Sequence, residues 1–402
     1  MLGASFLQCP HAAALAAFLE RRTVISSSRS GFFPFVARIL PGAWRGAIVG
    51  ALATAALAAP VPAQVQGPAQ GPVQQAGLRT MTVAGDEPVT VALFYPTPAQ
   101  ARPIPMGPWS PVVAPGAPVS AAALKGLILL SHGTGGNEFG QHHLATRLAE
   151  DGYLVAALRH PGDNWQDRSM VTSGSYFGER PRQVSRVLDA LLASPEWAPR
   201  IPAGRIGAVG HSAGGYTVLA LAGAQAEPAR AGQHCRTVQD DTGFCGLAKG
   251  SNGAEGAPTA AAAPAPMASS AGSASTVVRP LDGARVSAPD PRIRAVVALA
   301  PMAVVFTPES LAAVRVPVRL ILAEHDQVLN GQYHGSYVAA HVPGADASTV
   351  PGAGHFAFMT QPSMSLPSAA GDAAANPTGF DRVAFQPQLD AQVLQFFARQ
   401  LQ

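Results

Sequence analysis

Arg205-Ile-Gly-Ala-Val-Gly210-His211-Ser212-Ala213-Gly214-Gly-Tyr216-Thr-Val-Leu-Ala-Leu221 places an apolar run, a glycine-flanked serine and a helix-prone run in immediate succession. Read as strand, tight turn and helix, the stretch puts Ser212 on a strained corner that exposes its hydroxyl. Gly210 and Gly214 have no side chains to hold strand and helix apart. A Gly-x-Ser-x-Gly pattern recurs by chance in a chain with 41 glycines. The flanking strand and helix, and the partners further along, therefore carry the expectation that Ser212 is a nucleophile.

Outward from this stretch the same rhythm repeats. Leu127-Ile-Leu-Leu130, Tyr153-Leu-Val-Ala-Ala-Leu158, Ile293-Arg-Ala-Val-Val-Ala-Leu299 and Val318-Arg-Leu-Ile-Leu322 are short apolar runs separated by helix-length segments. Continuous apolar strands alternating with helices predict an α/β fold with a mostly parallel central sheet and helices on both faces. Upstream, Val89-Thr-Val-Ala-Leu-Phe-Tyr95 alternates as a strand, and the proline-rich residues 96–123 read as a surface connection. Residues 64–79 are rich in Gln, Pro and Gly and read as a flexible linker, with the main domain spanning 80–402 and order beginning near Met81. An insertion at about 225–288 separates the helix after Ser212 from the next strand. It starts with a cysteine pair and ends in Ala-, Gly-, Ser- and Pro-rich sequence that cannot bury enough apolar surface to order itself, so a small cap followed by a mobile loop is expected.

Composition narrows the function classes. The chain has 402 residues, 48% hydrophobic and 13% charged, enough for a large core and too few charges for a disordered protein. Its net charge is +3, but the basic residues are almost all Arg, with only Lys125 and Lys249 as lysines, and they form no stripe. Nucleic acid is not an expected partner. Residues 46–59 form an uncharged apolar run after Arg38 and Arg45 and before Val61-Pro62-Ala63, which resembles a secretory leader spanning 1–63 and cut after Ala63. At about fourteen residues the run is short for a bilayer span, so no stable span is expected once the leader is removed. An uncleaved anchor or a buried helix is the alternative. Cys9 falls in the leader, leaving Cys235 and Cys245 to close a small loop in a periplasmic or secreted protein, or else to stand as two buried thiols.

A serine hydroxyl becomes nucleophilic when an imidazole takes its proton, and the imidazole needs a carboxylate to fix its tautomer. His355, in Pro351-Gly-Ala-Gly-His355-Phe-Ala-Phe358, lies on a glycine-rich loop able to reach over the sheet edge. His325, His334 and His341 are its rivals. For the acid, Val318-Arg-Leu-Ile-Leu-Ala-Glu-His-Asp326 ends a strand where a carboxylate is needed, with Asp326 preferred over Glu324. Two backbone donors are required for a developing oxyanion. Ala213, directly after the serine, supplies one, and Thr134, in the glycine-rich turn Ser131-His-Gly-Thr-Gly-Gly136, supplies the other. His132 reads as a structural hydrogen-bonding residue, and His142-His143 as exposed at a helix start. His160 and Asp163, in His160-Pro-Gly-Asp163-Asn-Trp165, follow a strand at the same edge and either line the pocket or form an ordinary turn. No His-Glu-x-x-His, Rossmann or Walker pattern occurs, so neither a metal nor a cofactor is expected.

Ser131-His-Gly-Thr-Gly-Gly, Gly152-Tyr-Leu-Val-Ala-Ala, Gly210-His-Ser-Ala-Gly-Gly-Tyr, the cysteine pair, Ala323-Glu-His-Asp326, Gly352-Ala-Gly-His-Phe and Phe380-Asp-Arg with its closing helix together resemble α/β-hydrolases of the predicted dienelactone hydrolase type, related to platelet-activating-factor acetylhydrolases. The resemblance implies the α/β-hydrolase fold, a triad of Ser212, Asp326 and His355, and an oxyanion hole at Thr134 and Ala213. Dienelactone hydrolases proper use a cysteine nucleophile, so Ser212 directs the expectation to serine-esterase chemistry on a small-molecule or lipid ester. A lipase, phospholipase or polyester hydrolase is the alternative within that mechanism, and a non-catalytic binding scaffold the alternative outside it.

Overall fold

The computed structural model describes residues 74–250 and 284–402. The expected leader and most of the low-complexity loop lie outside the described residues. Chain order runs β1 (Gln75–Val83), β2 (Val89–Thr97), β3 (Arg102–Pro103), β4 (Val112–Pro115), β5 (Gly126–Ser131), α1 (His142–Glu150), β6 (Tyr153–Arg159) and α2 (Tyr176–Ala193). It continues through β7 (Ile206–His211), α3 (Ala213–Leu221), α4 (Ala229–Thr237), α5 (Thr242–Gly250), β8 (Ala295–Leu299) and α6 (Pro308–Ala312). The remaining major elements are β9 (Val318–Ala323), α7 (Gly335–His341), β10 (Asp346–Val350) and α8 (Arg382–Gln400).

These strands form one sheet in the order β10-β9-β8-β7-β5-β6-β2-β1-β4-β3. From β10 to β6 all neighbours are parallel, and β2 is the strand that first reverses direction. Parallel strands are buried on both faces, and the side-chain period of two sorts their apolar residues into two cores. In β5, Leu127 and Leu129 join a core built with α2, α3, α6 and α7. Ile128 and Leu130 face the opposite core, built with α1 and α8. The α/β architecture expected from the apolar runs is thus present, a mostly parallel sheet with helices on both faces.

Two boundaries differ from the sequence reading. Strand β1 begins at Gln75, inside the expected 64–79 linker. The Gln-Ala-Gly start of β1 has weak strand propensity of its own, but it pairs in antiparallel register with β2 along its full length, from Gln75↔Thr97 to Val83↔Val89. The proline-rich connection also contributes strand, with β4 pairing beside β1 and β3 pairing with β4. The cap expected after the nucleophile helix is α4 and α5, joined by a disulfide between Cys235 and Cys245 with Cα atoms 5.4 Å apart.

Candidate active site

Ser212 lies between β7 and α3 with φ of 57° and ψ of −116°, a positive φ that L-residues rarely adopt. Three backbone bonds hold it there: its amide donates to Leu299 (2.9 Å), and its carbonyl accepts from Met302 (3.0 Å) and Tyr216 (3.1 Å). The glycines are required by contact. A Cβ at Gly210 would collide with the Gly214 carbonyl, and one at Gly214 with the Ser131 carbonyl. Gly133, in the turn after β5, approaches the serine itself, since a Cβ there would lie 3.1 Å from Ser212 Cβ.

His355 and Asp326 meet as expected. Nδ1 of His355 donates to Oδ2 of Asp326 at 2.7 Å, which leaves Nε2 as the ring nitrogen turned away from the carboxylate. The other carboxylate oxygen accepts from the amides of Val328 (2.9 Å) and Leu329 (2.8 Å). Burial opposes ionisation of Asp326, but the facing imidazole and these bonds outweigh it and hold the carboxyl below its ordinary range. His355 is tied to the serine's neighbour: Nε2 of His211 donates to the His355 carbonyl at 2.9 Å, and the two rings are 4.8 Å apart. Glu324, the weaker candidate acid, is exposed and accepts from the amide of Gly352 (2.7 Å). His334 is buried against Asp241, and His341 bonds the carbonyl of its own helix at Tyr337.

His160 and Asp163 do not line a pocket; both are fully buried. Nδ1 of His160 donates to Gln183 (2.7 Å), so its Nε2 accepts from the Ser131 hydroxyl (2.8 Å). His132 accepts the His160 amide at Nε2 and donates from Nδ1 to Gly133, the structural role expected of it. Burial pushes the His132 pKa down to about 4 and that of His160 well below its ordinary value, so both rings are neutral. Asp163 accepts the Gly135 amide (2.8 Å) and the Tyr176 hydroxyl (3.0 Å), and it pairs with Arg180. Tyr176 in turn accepts from the Thr134 hydroxyl at 3.0 Å. The loop after β6 reaches the sheet's carboxyl edge as read, but it turns inward because Arg180 projects from the buried face of α2 to meet it.

No motif in the sequence marks Arg180. Its guanidinium also donates to the His132 carbonyl and the Ser131 hydroxyl, and its Nε donates to Thr217 (3.0 Å), which bonds the Ala213 carbonyl (2.9 Å). One cation thereby braces both glycine turns. The available signal was an arginine at a position of α2 where Tyr176, Val184 and Val187 mark the buried stripe. His142 and His143 are likewise half-buried, not exposed, because α8 covers the start of α1. Among the described residues, neither the Thr134 nor the Ala213 amide has a protein acceptor. Met170 and Tyr176, flanked by the partly buried Val171 and Phe177, pack with Ala213 in a small apolar cluster.

A family model described as the alpha/beta hydrolase family matches residues 127–364, which include both glycine turns, Asp326 and His355. The chain belongs to the alpha/beta hydrolase family. Among solved structures, this hydrolase resembles ferulic acid esterase from Streptomyces cinnamoneus at 18% identity and a TM-score of 0.52, over 84% of this chain and 92% of that one. At that identity the likeness is one of fold. No curated protein matches the hydrolase.

Proposed function

We propose that this hydrolase is an exported serine esterase that cleaves carboxylic esters through an acyl-enzyme. The observation that carries the reading is the Asp326–His355 pair, bonded at 2.7 Å and packed against His211 beside the strained Ser212. In this reading Nε2 of His355 takes the Ser212 proton as Oγ attacks the ester carbonyl. The amides of Thr134 and Ala213 receive the negative charge on oxygen. Collapse expels the alcohol, which takes its proton from His355, and water then repeats the sequence to release the acid and restore the serine. The balance is ester plus water to acid plus alcohol.

The apolar cluster of Met170, Val171, Tyr176 and Phe177 supports an apolar acyl or aromatic group beside Ala213. A fold shared with a ferulic acid esterase makes aromatic esters worth including in the test. The apolar run at 46–59 and the Cys235–Cys245 disulfide support export to an oxidising compartment. The sequence motifs support a finer place beside predicted dienelactone hydrolases.

Hydrolysis of p-nitrophenyl esters from acetate to palmitate, and of methyl ferulate, tests the reading with Ser212→Ala as control. The substitution is expected to lower kcat by roughly four orders of magnitude or more. Retained activity would remove Ser212 as nucleophile. Failure of the native protein both to hydrolyse any ester and to react with a fluorophosphonate would favour a binding scaffold.

A further inference from the structure

Asp241 lies between the two disulfide-bonded cysteines and is 2% exposed. Its Oδ1 accepts the Asn330 amide at 3.0 Å, and its Oδ2 accepts from Nε2 of His234 at 2.7 Å and of His334 at 2.9 Å. Nδ1 of His334 accepts the Ala303 amide at 3.0 Å, which fixes the ring proton on Nε2, facing Asp241. Burial would raise the Asp241 pKa, but the His334, Asn330 and His234 bonds outweigh it and keep the group a carboxylate. Burial lowers the His334 pKa, consistent with a neutral donor.

Both chain segments gripped by this carboxylate lead to the active site. Asn330 closes the loop that starts at Asp326, and the Val328 and Leu329 amides of that loop are the ones bonded to Asp326. Gly243 of α5 rests on the same loop so closely that a Cβ would collide with the Gln327 carbonyl. Ala303 follows Met302, whose amide holds the Ser212 carbonyl at 3.0 Å.

We propose that Asp241 is a positioning residue for catalysis, setting the Asp326 loop against His355 from an insertion whose geometry the Cys235–Cys245 bond fixes. The proposal rests on the reading of Ser212, Asp326 and His355 given above. It makes the stapled insertion part of the acid's support.

Asp241→Asn in the full chain tests it, with Glu227→Gln, which removes a surface partner of Arg285 on the same insertion, as control. Asp241→Asn should lower kcat on p-nitrophenyl acetate roughly 10- to 100-fold, as small displacements of catalytic groups do, and change KM by less than about twofold. The control should match the native protein. The low-field proton resonance of His355 Nδ1–H, assigned by its loss in Asp326→Asn, should move or broaden in Asp241→Asn. An unchanged kcat in the folded variant overturns the proposal. A native protein without Ser212-dependent hydrolysis overturns the esterase reading instead, and an unchanged resonance in Asp241→Asn then overturns the positioning role independently. If Asp241→Asn does not fold, Cys235→Ser with Cys245→Ser loosens the same element, and native kcat and resonance in that protein overturn the proposal.

Discussion

Ser212 and Ala300 are the two non-glycine residues with positive φ among the described residues, at 57° and 40°. Such a conformation costs on the order of 1–3 kcal/mol per residue. Both stand at carboxyl ends of neighbouring strands, and each is held by a backbone bond across the sheet, Ser212 to Leu299 and Ala300 to Ile321 (3.0 Å). The strain is stable because rigid strands impose it, and the corner was legible because the Gly-x-Ser-x-Gly motif stands between an apolar strand run and a helix-prone run. Arg180 and Asp163 show the opposite case. Their pairing depends on a loop and a helix meeting in space, and no local pattern announces that. Both side chains are fully buried, and removing one partner of a buried ion pair leaves an uncompensated charge. Asp163→Asn should therefore destabilise the fold by about 3–5 kcal/mol, measurable as a lower urea midpoint. A midpoint unchanged from the native protein would show that Arg180 is satisfied without it.

At the scale of elements, the disulfide makes α4 and α5 a unit distinct from the sheet. In the chain-entropy view a bridge over so short a loop contributes roughly 3 kcal/mol. Reduction by dithiothreitol moves two electrons and two protons from the dithiol to the cystine, leaving two thiols and the cyclic oxidised reagent. Amide hydrogen exchange should then accelerate in Ala229–Thr237 and Thr242–Gly250 while β5 to β8 stay protected. Equal acceleration throughout would mean that the insertion and the sheet open together. The parallel strands were legible because burial on both faces writes itself as an unbroken apolar run, as in Leu127-Ile-Leu-Leu130. β1 was not, because its partner supplies what its composition lacks. The docking of α5 through Gly243 and Asp241 was equally hidden, since a glycine and an aspartate look the same in a loop as in a tight seat.

Across the molecule, α1 and α8 press His143 against Asp390, with Nε2 and Oδ1 3.5 Å apart. Burial raises the Asp390 pKa to about 7 and lowers that of His143 to about 3, so the pair is neutral in the fold between those two pH values. Unfolded, the same groups titrate near ~3.9 and ~6.5. The folded state keeps a proton on Asp390 that the unfolded chain releases, so this group's contribution to stability falls as pH rises from ~4 through about 7. His143 acts in the other direction, its contribution rising from about 3 to ~6.5, and the two slopes offset where they overlap. Asp390→Asn removes only the first. Its stability relative to the native protein should climb from near parity at about pH 4 to a gain of up to roughly 4 kcal/mol by about pH 8, read from urea denaturation at several pH values. A difference independent of pH would show that Asp390 is ionised inside the fold.

Ala226 and Val286 exchange both of their backbone hydrogen bonds, at 2.9 and 2.7 Å, and Ala226 bridges to Phe306 as well. Among the described residues, this bridge clasps the two ends of the long excursion between α3 and β8 at the margin of the core. Doubling the length of a flexible segment beyond such a closure adds only about 0.6 kcal/mol of entropic cost. Added length between α5 and Val286 therefore costs the fold little, while the sheet that holds Ser212 and the stapled helices on either side of Asp241 stay as they are.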